Sequence, residues 1–264
     1  MKSTTTIIQM IILIFLSFNL ILAQTGNNKL KIIYGYHVPN NGKKSDERYS
    51  YLITDDQLSY FVSQRNDFPK PENKLTQDAN NISLKVFEAD DIGSYVYRDF
   101  KNENVIFREV GSKFMDAIIV TDKWEKINWE ILEETKGIGN YSCKKAIGKF
   151  RGRTYTAWFT EEIPVPAGPW KLFGLPGIIL EAHDSKMEFY AVAKEIKINF
   201  VGEEEIKATN NNSELNYNFE EYKLYRKNFK ETYINSIKAT FPRGANLNLK
   251  PSDIKLSPIE SEVE

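Results

Sequence analysis

The sequence has little cysteine, little histidine and almost no net charge, and each of these shortages excludes a class of protein. One cysteine in 264 residues cannot form an internal disulfide, a cysteine-rich zinc site or an iron–sulfur cluster. With two histidines and no HxH or HExxH spacing, we expect no metal site and no cofactor. The 35 Lys and Arg nearly balance the 36 Asp and Glu, so no overall basic field favours nucleic acid as a partner.

Apolar and aromatic side chains are plentiful, at 41% and 13%, which is too many for a disordered chain. From Leu30 onward they alternate with polar residues in short segments that turn residues separate, and two such segments at 188–193 and 195–201 close the series. No GxGxxG motif, phosphate loop or strand–helix–strand rhythm interrupts it. We predict a mainly β fold: a strongly curved antiparallel meander sheet, forming an open or half barrel, with one C-terminal amphipathic helix packed on it.

The N-terminus predicts export. Lys2 precedes an apolar run over residues 7–22, and the small residue Ala23 stands before polar sequence, as in a cleaved signal peptide covering residues 1–23. The alternative is an uncleaved anchor, although the run is shorter than the ~20 residues that span a bilayer. After it we expect no transmembrane segment, a single β-rich domain over residues 24–242 and a loosely ordered tail over 243–264. The predicted location is the periplasm or cell envelope, or outside the cell.

One segment shows helical periodicity instead. Asn218 can cap a helix and Glu221 can reach back to it, which is a capping-box pattern. Aromatic residues then recur at steps of three and four, which predicts an amphipathic helix at about residues 218–238. The simplest interpretation packs this stripe on the sheet, and the alternative is a partner-binding helix.

The segment from Tyr141 to Asp184 has the most specific pattern. Its prolines and glycines between residues 164 and 177 exclude a regular strand and predict a rigid connection between two strands. This loop is either a structural plug over the sheet or a platform that presents aromatic side chains to a ligand or partner. If it binds, the candidate residues are Trp158, Pro164, Trp170, Phe173, Gly174, Leu175, Pro176 and Gly177.

The same segment resembles the GLPGLI family of Bacteroidota, which is named for its central motif. The motif reads here Gly174-Leu175-Pro176-Gly177-Ile178-Ile179, with Ile178 where the family usually has leucine. The segments Tyr141–Ala146, Arg151–Trp158 and Ile163–Trp170 match the family's YxCxKA, RGRxYxAW and IPxxxGPW patterns, in the family's order. The resemblance implies an exported protein. It implies no activity, because the family has no established biochemical function.

Catalysis has one weak candidate pair. Cys143 is the best nucleophile, and His183 could act as its base with Asp184 as orienter. The alternating pattern, however, predicts a packed strand position for Cys143, where a thiol is inert. We therefore predict no catalytic residues.

A local cationic stretch is the last candidate. It either covers a solvated hairpin tip or contacts anionic lipid headgroups or polysaccharide. Its members are Lys144, Lys145, Lys149, Arg151 and Arg153.

Together these patterns predict a non-catalytic cell-envelope protein that binds an apolar or lipid-like ligand or an exported protein partner. One alternative is an accessory or assembly protein without a ligand cavity. The other is a Cys143-dependent enzyme. The sequence does not specify the oligomeric state.

Overall fold

The computed structural model describes residues 29–37, 48–69, 74–77, 82–85, 88–208 and 214–240, together with residue 250. The predicted signal peptide lies outside the described residues. So does the predicted tail, apart from residue 250.

The described chain forms fourteen strands and one helix. Strands in the first half are β1 (Leu30–His37), β2 (Arg48–Thr54), β3 (Leu58–Ser63), β4 (Lys74–Gln77), β5 (Ile82–Lys85), β6 (Ser94–Asp99) and β7 (Asn104–Glu109). The later elements are β8 (Ile118–Asp122), β9 (Trp129–Ile138), β10 (Tyr141–Phe150), β11 (Arg153–Thr160), β12 (Ile178–Asp184), β13 (Tyr190–Lys197), β14 (Leu215–Asn218) and helix α1 (Phe219–Ala239).

Twelve strands make one sheet in the order β14-β8-β7-β6-β3-β2-β1-β13-β12-β11-β10-β9, and β4 and β5 form a separate hairpin. This confirms a mainly β, largely antiparallel fold with one C-terminal helix. The meander prediction is wrong, because β1 pairs with both β2 and β13 and the two halves of the sheet extend from it in opposite directions. β14 also pairs with β8 in parallel. Among the described strands nothing pairs β9 with β14, so the sheet is not closed, and the strongly curved open or half barrel is not confirmed.

One face of the sheet holds the main core. A cross-strand row of four small residues, Ala146, Ala157, Ala182 and Ala191, runs over β10 to β13, and all four are fully buried. Small side chains leave room above the sheet, and residues from the loop at 161–177 share the same core cluster, among them the fully buried Leu172. Burying one such leucine stabilises the fold by roughly 1.5–3 kcal/mol.

The opposite face has a second core under β2, β3 and β6, built around Tyr51, Tyr60 and Tyr95. The irregular segment at 198–208 packs on it through Phe200, whose backbone N–H donates to the Lys29 carbonyl at 2.7 Å. The predicted strand at 195–201 is therefore wrong, because β13 ends at Lys197 and the chain then crosses this face.

Helix α1 begins as predicted. The Asn218 side chain accepts hydrogen bonds from the backbone N–H groups of Glu220 and Glu221, and the Glu221 side chain accepts one from the Asn218 N–H, which completes the capping box. Buried Tyr222 meets Phe107 of the sheet edge-on at 5.0 Å between ring centres. No helix in the described part of the chain combines the length and apolar character that membrane crossing requires.

Candidate functional site

Two glycines of the loop at 161–177, which we call the motif loop, are needed for different structural reasons. A Cβ added to Gly177 would overlap the Thr160 carbonyl group and lie 2.6 Å from its carbon, so only glycine lets the loop lie against the end of β11. Gly174 has open space around it but a φ of +92°, which side-chain-bearing residues rarely adopt. A 3.0 Å hydrogen bond from the Gly174 N–H to the Pro166 carbonyl closes the loop on itself.

Trp170 is turned towards the core. Its φ is +53°, a strained value for a residue with a Cβ. Its indole lies among the rings of Phe150, Tyr155 and Phe189, at centre distances of 6.0, 6.2 and 5.8 Å. These contacts hold the strained backbone in place, so the half-buried indole is part of the packing.

The remaining loop candidates divide by exposure. Phe173, Leu175 and Gly177 are buried, whereas Pro164, Gly174 and Pro176 are exposed. The buried apolar groups point the same way as Trp170. This arrangement favours the structural plug over a loop that presents its aromatics.

A buried ionic cluster lies under the loop. The Lys171 ammonium is 2.8 Å from a carboxylate oxygen of Asp122, and the other oxygen of that carboxylate is 2.8 Å from Arg151. Burial alone would raise the pKa of Asp122, but the Lys171 and Arg151 charges outweigh it and the pKa is lowered. Arg151 also pairs with the half-exposed Glu125 at 2.8 Å. The cluster links the loop to β8 and to the β10–β11 turn.

A third cation, Arg98 of β6, also lies under the loop. It is 2% exposed and donates to the Lys171 carbonyl at 3.1 Å. Its guanidinium lies 4.3 Å from the centre of the Phe173 ring. Burial lowers the pKa of Arg98 to about 9. No carboxylate among the described residues pairs with it directly, so the more distant charge of Asp122 only partly opposes this effect.

The five cationic candidates do not form one surface. Arg153 is buried and pairs with Asp184 at 2.8 Å, and Arg151 belongs to the cluster under the loop. Lys144 and Lys145 pair at 3.0 Å with Glu161 and Glu134 respectively, and Lys149 is exposed.

Cys143 is fully buried, and burial raises the pKa of its thiol to about 11. Lys144, the neighbour of Cys143, pairs with Phe159 of β11, whereas His183 pairs with Thr156, three residues farther along the same strand. At about 3.3 Å per residue the Cys143 thiol and the His183 imidazole are roughly 10 Å or more apart. Asp184 is occupied by Arg153. The residues proposed for catalysis are therefore not brought together. Within the described ranges no group of His, Cys, Asp and Glu is arranged to hold a metal ion.

Trp158 is the one binding candidate on the opposite face from the loop. It stands in a cross-strand row between Lys145 and Glu181, and the next row brings His183 beside Tyr190. The half-buried indole has the Lys136 ammonium 4.3 Å from its ring centre, and Lys136 pairs with Glu181 at 2.7 Å. We call this the Trp158 face; it consists of Lys136, Lys145, Ile147, Thr156, Trp158, Glu181, His183 and Tyr190.

Sequence reasoning missed Arg98, Asp122 and Lys171. Arg98 and Asp122 belong to alternating strands that look ordinary. Lys171 did give a signal, because a lone lysine between Trp170 and Leu172 of an apolar loop needs a buried counter-ion.

A short segment of the chain matches a protein family of unknown function. Residues 149–181 match the family described as "Protein of unknown function (Porph_ging)". The match covers β11, the motif loop and the start of β12. No curated protein is similar enough to count as a match.

Two solved structures are similar at low identity. "Structure of PNGF-II in P21 space group" has 18% identity and a TM-score of 0.49, and "Structure of PNGF-II in C2 space group" has 17% and 0.47. In each case 79% of this chain is covered, but only 34% and 33% of the solved chain. The protein therefore spans about a third of the length of the solved chains.

Proposed function

We propose that this protein is an exported cell-envelope member of the GLPGLI family. The apolar run at 7–22 followed by Ala23 supports export. The ordered motifs around Gly174–Ile179 support the family. Its location is the periplasm or envelope, or outside the cell.

We further propose that it is a non-catalytic binding protein whose ligand is another exported protein. The observation that carries this is the inward packing of the motif loop. Leu172, Leu175 and Phe173 fill the face where an apolar or lipid-like ligand would sit, and Lys171 is tied down by Asp122. A carrier would need that volume for its ligand.

The Trp158 face supplies the chemistry that protein partners use. Tryptophan and tyrosine are enriched at the centres of protein interfaces, where a rim of charged groups surrounds them. Here Trp158 and Tyr190 lie within two adjacent rows, and ion pairs such as Lys136–Glu181 border them. Half-buried Leu132, which lies opposite Lys145, extends the apolar area of this face onto β9.

The test compares a charge placed within this face with the same charge placed elsewhere. Thr156→Lys adds an ammonium between Trp158 and His183 without removing any core group, and Leu224→Lys adds one to the outer surface of α1, where Leu224 is 60% exposed. Tagged full-length protein is purified gently from the envelope, its partner is identified and purified, and affinity is measured with the two isolated proteins.

We expect Thr156→Lys to weaken binding at least tenfold, since burying an unpaired ammonium at an interface costs more than about 1.4 kcal/mol. Leu224→Lys should bind like the wild type. Equal affinity for both variants contradicts the proposal. A lipid that native mass spectrometry finds at one molecule per chain would instead support the carrier.

A further inference from the structure

Arg98 is a buried cation that forms no ion pair with a carboxylate of the described residues. The Asp122 carboxylate, which lies 2.8 Å from both Lys171 and Arg151, acts on Arg98 only at longer range. A buried charge without a partner costs several kcal/mol, so proteins normally neutralise it.

Two N–H donors at this place also have no acceptor among the described residues. They are Nε of Arg98 and Nε1 of Trp124, and both atoms are shielded from solvent. Both groups contact the same ring: the Arg98 guanidinium lies 4.3 Å from the centre of Phe173, and the Trp124 ring centre lies 4.9 Å from it. Both also approach Phe100, at 6.0 and 6.2 Å.

We propose that Arg98 and Trp124 form a binding site for a small monovalent anion, a chloride ion or a carboxylate group. The anion accepts hydrogen bonds from Arg98 Nε and Trp124 Nε1 and pairs with the positive charge of Arg98. One guanidinium needs one negative charge, which favours a monovalent ion over phosphate or sulfate. Trp124 is only half buried, so the site reaches the surface on the side of the β8–β9 connection. The proposal stands independently of the partner-binding function.

The experiment follows thermal unfolding of the full chain as the anion is varied. Chloride or acetate replaces a bulky sulfonate buffer anion at constant ionic strength and pH 7.5. We expect a saturable rise in Tm of roughly 5 °C at concentrations far above the dissociation constant. The separate chloride and acetate titrations show which of the two ions the site prefers.

Two variants and a control test the assignment. Arg98→Met should abolish the anion-dependent part of the Tm. Trp124→Phe keeps an aromatic ring but removes the donor, and should weaken anion affinity roughly tenfold. Arg65→Met removes a guanidinium that pairs with Asp67 elsewhere, and should leave the anion response unchanged. If Arg98→Met does not fold, Trp124→Phe decides the question.

A response that does not saturate, or that is the same in Trp124→Phe and the wild type, overturns the site, since general salt effects act in both proteins alike. A saturable response that Arg65→Met also loses would overturn it equally. Saturation that Trp124→Phe weakens and Arg65→Met preserves supports it.

Discussion

Alanine substitutions at two glycines of the motif loop, Gly177 and Gly174, should destabilise the fold by different amounts. Gly137 in β9 serves as the control. Replacing Gly177 by alanine would push a methyl group into the Thr160 carbonyl, with backbone on both sides of the clash. Gly174 has open space but a positive φ, so alanine there adds only backbone strain. Gly137 in β9 has neither the clash nor a positive φ.

The three alanine variants should therefore differ in a fixed order. Overpacking costs about 1–3 kcal/mol and more where backbone must move, so we expect at least ~3 kcal/mol for Gly177→Ala. A residue with a Cβ in the left-handed region costs roughly 1–2 kcal/mol, and we expect Gly174→Ala to lose that much unfolding free energy. Gly137→Ala should stay within about 0.5 kcal/mol of the wild type.

Urea unfolding monitored by circular dichroism measures these differences, provided the transition is two-state with an unchanged m-value. If Gly177→Ala is as stable as Gly137→Ala, the loop does not lie against β11 and the plug account is wrong. If Gly174→Ala costs more than Gly177→Ala, backbone conformation rather than close approach determines the motif.

Three further predictions concern single side chains. Asp122→Asn leaves Lys171 and Arg151 without their buried carboxylate and should destabilise the fold by about 3–5 kcal/mol. Because folding lowers the pKa of Asp122, its carboxylate contributes fully to stability above its unfolded pKa of about 4, and the contribution is lost as the pH falls below that value. In urea titrations between pH 5 and 3, Asp122→Asn should therefore lose less stability than the wild type. Cys143 should resist alkylation at pH 8 until the protein is denatured; modification of the native protein at the rate of a free thiol contradicts its burial. Asn218→Ala should cost about 1 kcal/mol through loss of the α1 cap, and an unchanged urea midpoint would show that the cap contributes nothing.

Local patterns predicted the local structure well. The period-two alternation found most strands, and Asn218 with Glu221 located the start of α1, because capping and strand pleating depend on residues close in sequence. The order of strands in the sheet was not predictable in this way. It depends on the pairing of β1 with β13, between residues more than 150 positions apart.

The positions and partners of the charged residues were the main features that the sequence did not predict. Arg151 and Arg153 suggest a surface patch in sequence, but their partners Asp122 and Asp184 lie about 30 positions away and bury them. Lys171 and Asp122 lie even farther apart in the sequence, about 50 positions. Spacing along the chain carries no information about such pairs.

The binding candidates were likewise chosen as one group, although the fold separates them. The loop residues and Trp158 belong to neighbouring stretches of sequence, yet Trp158 alternates to the opposite face of β11. A loop rich in proline, glycine and aromatic residues fits a plug and a binding platform equally well, because both need a rigid backbone. The fold decides for the plug, because the small residues Ala146, Ala157, Ala182 and Ala191 leave room on the inner face and the apolar side chains of the loop are buried there.

Photo-crosslinking in the living cell shows whether the Trp158 face binds an exported protein. A photo-reactive residue is placed at position 147 on the Trp158 face and, in a second strain, at position 176 at the exposed tip of the motif loop. We expect position 147 to crosslink one exported protein and position 176 not to crosslink it. Crosslinking to that protein from position 176 alone would contradict it.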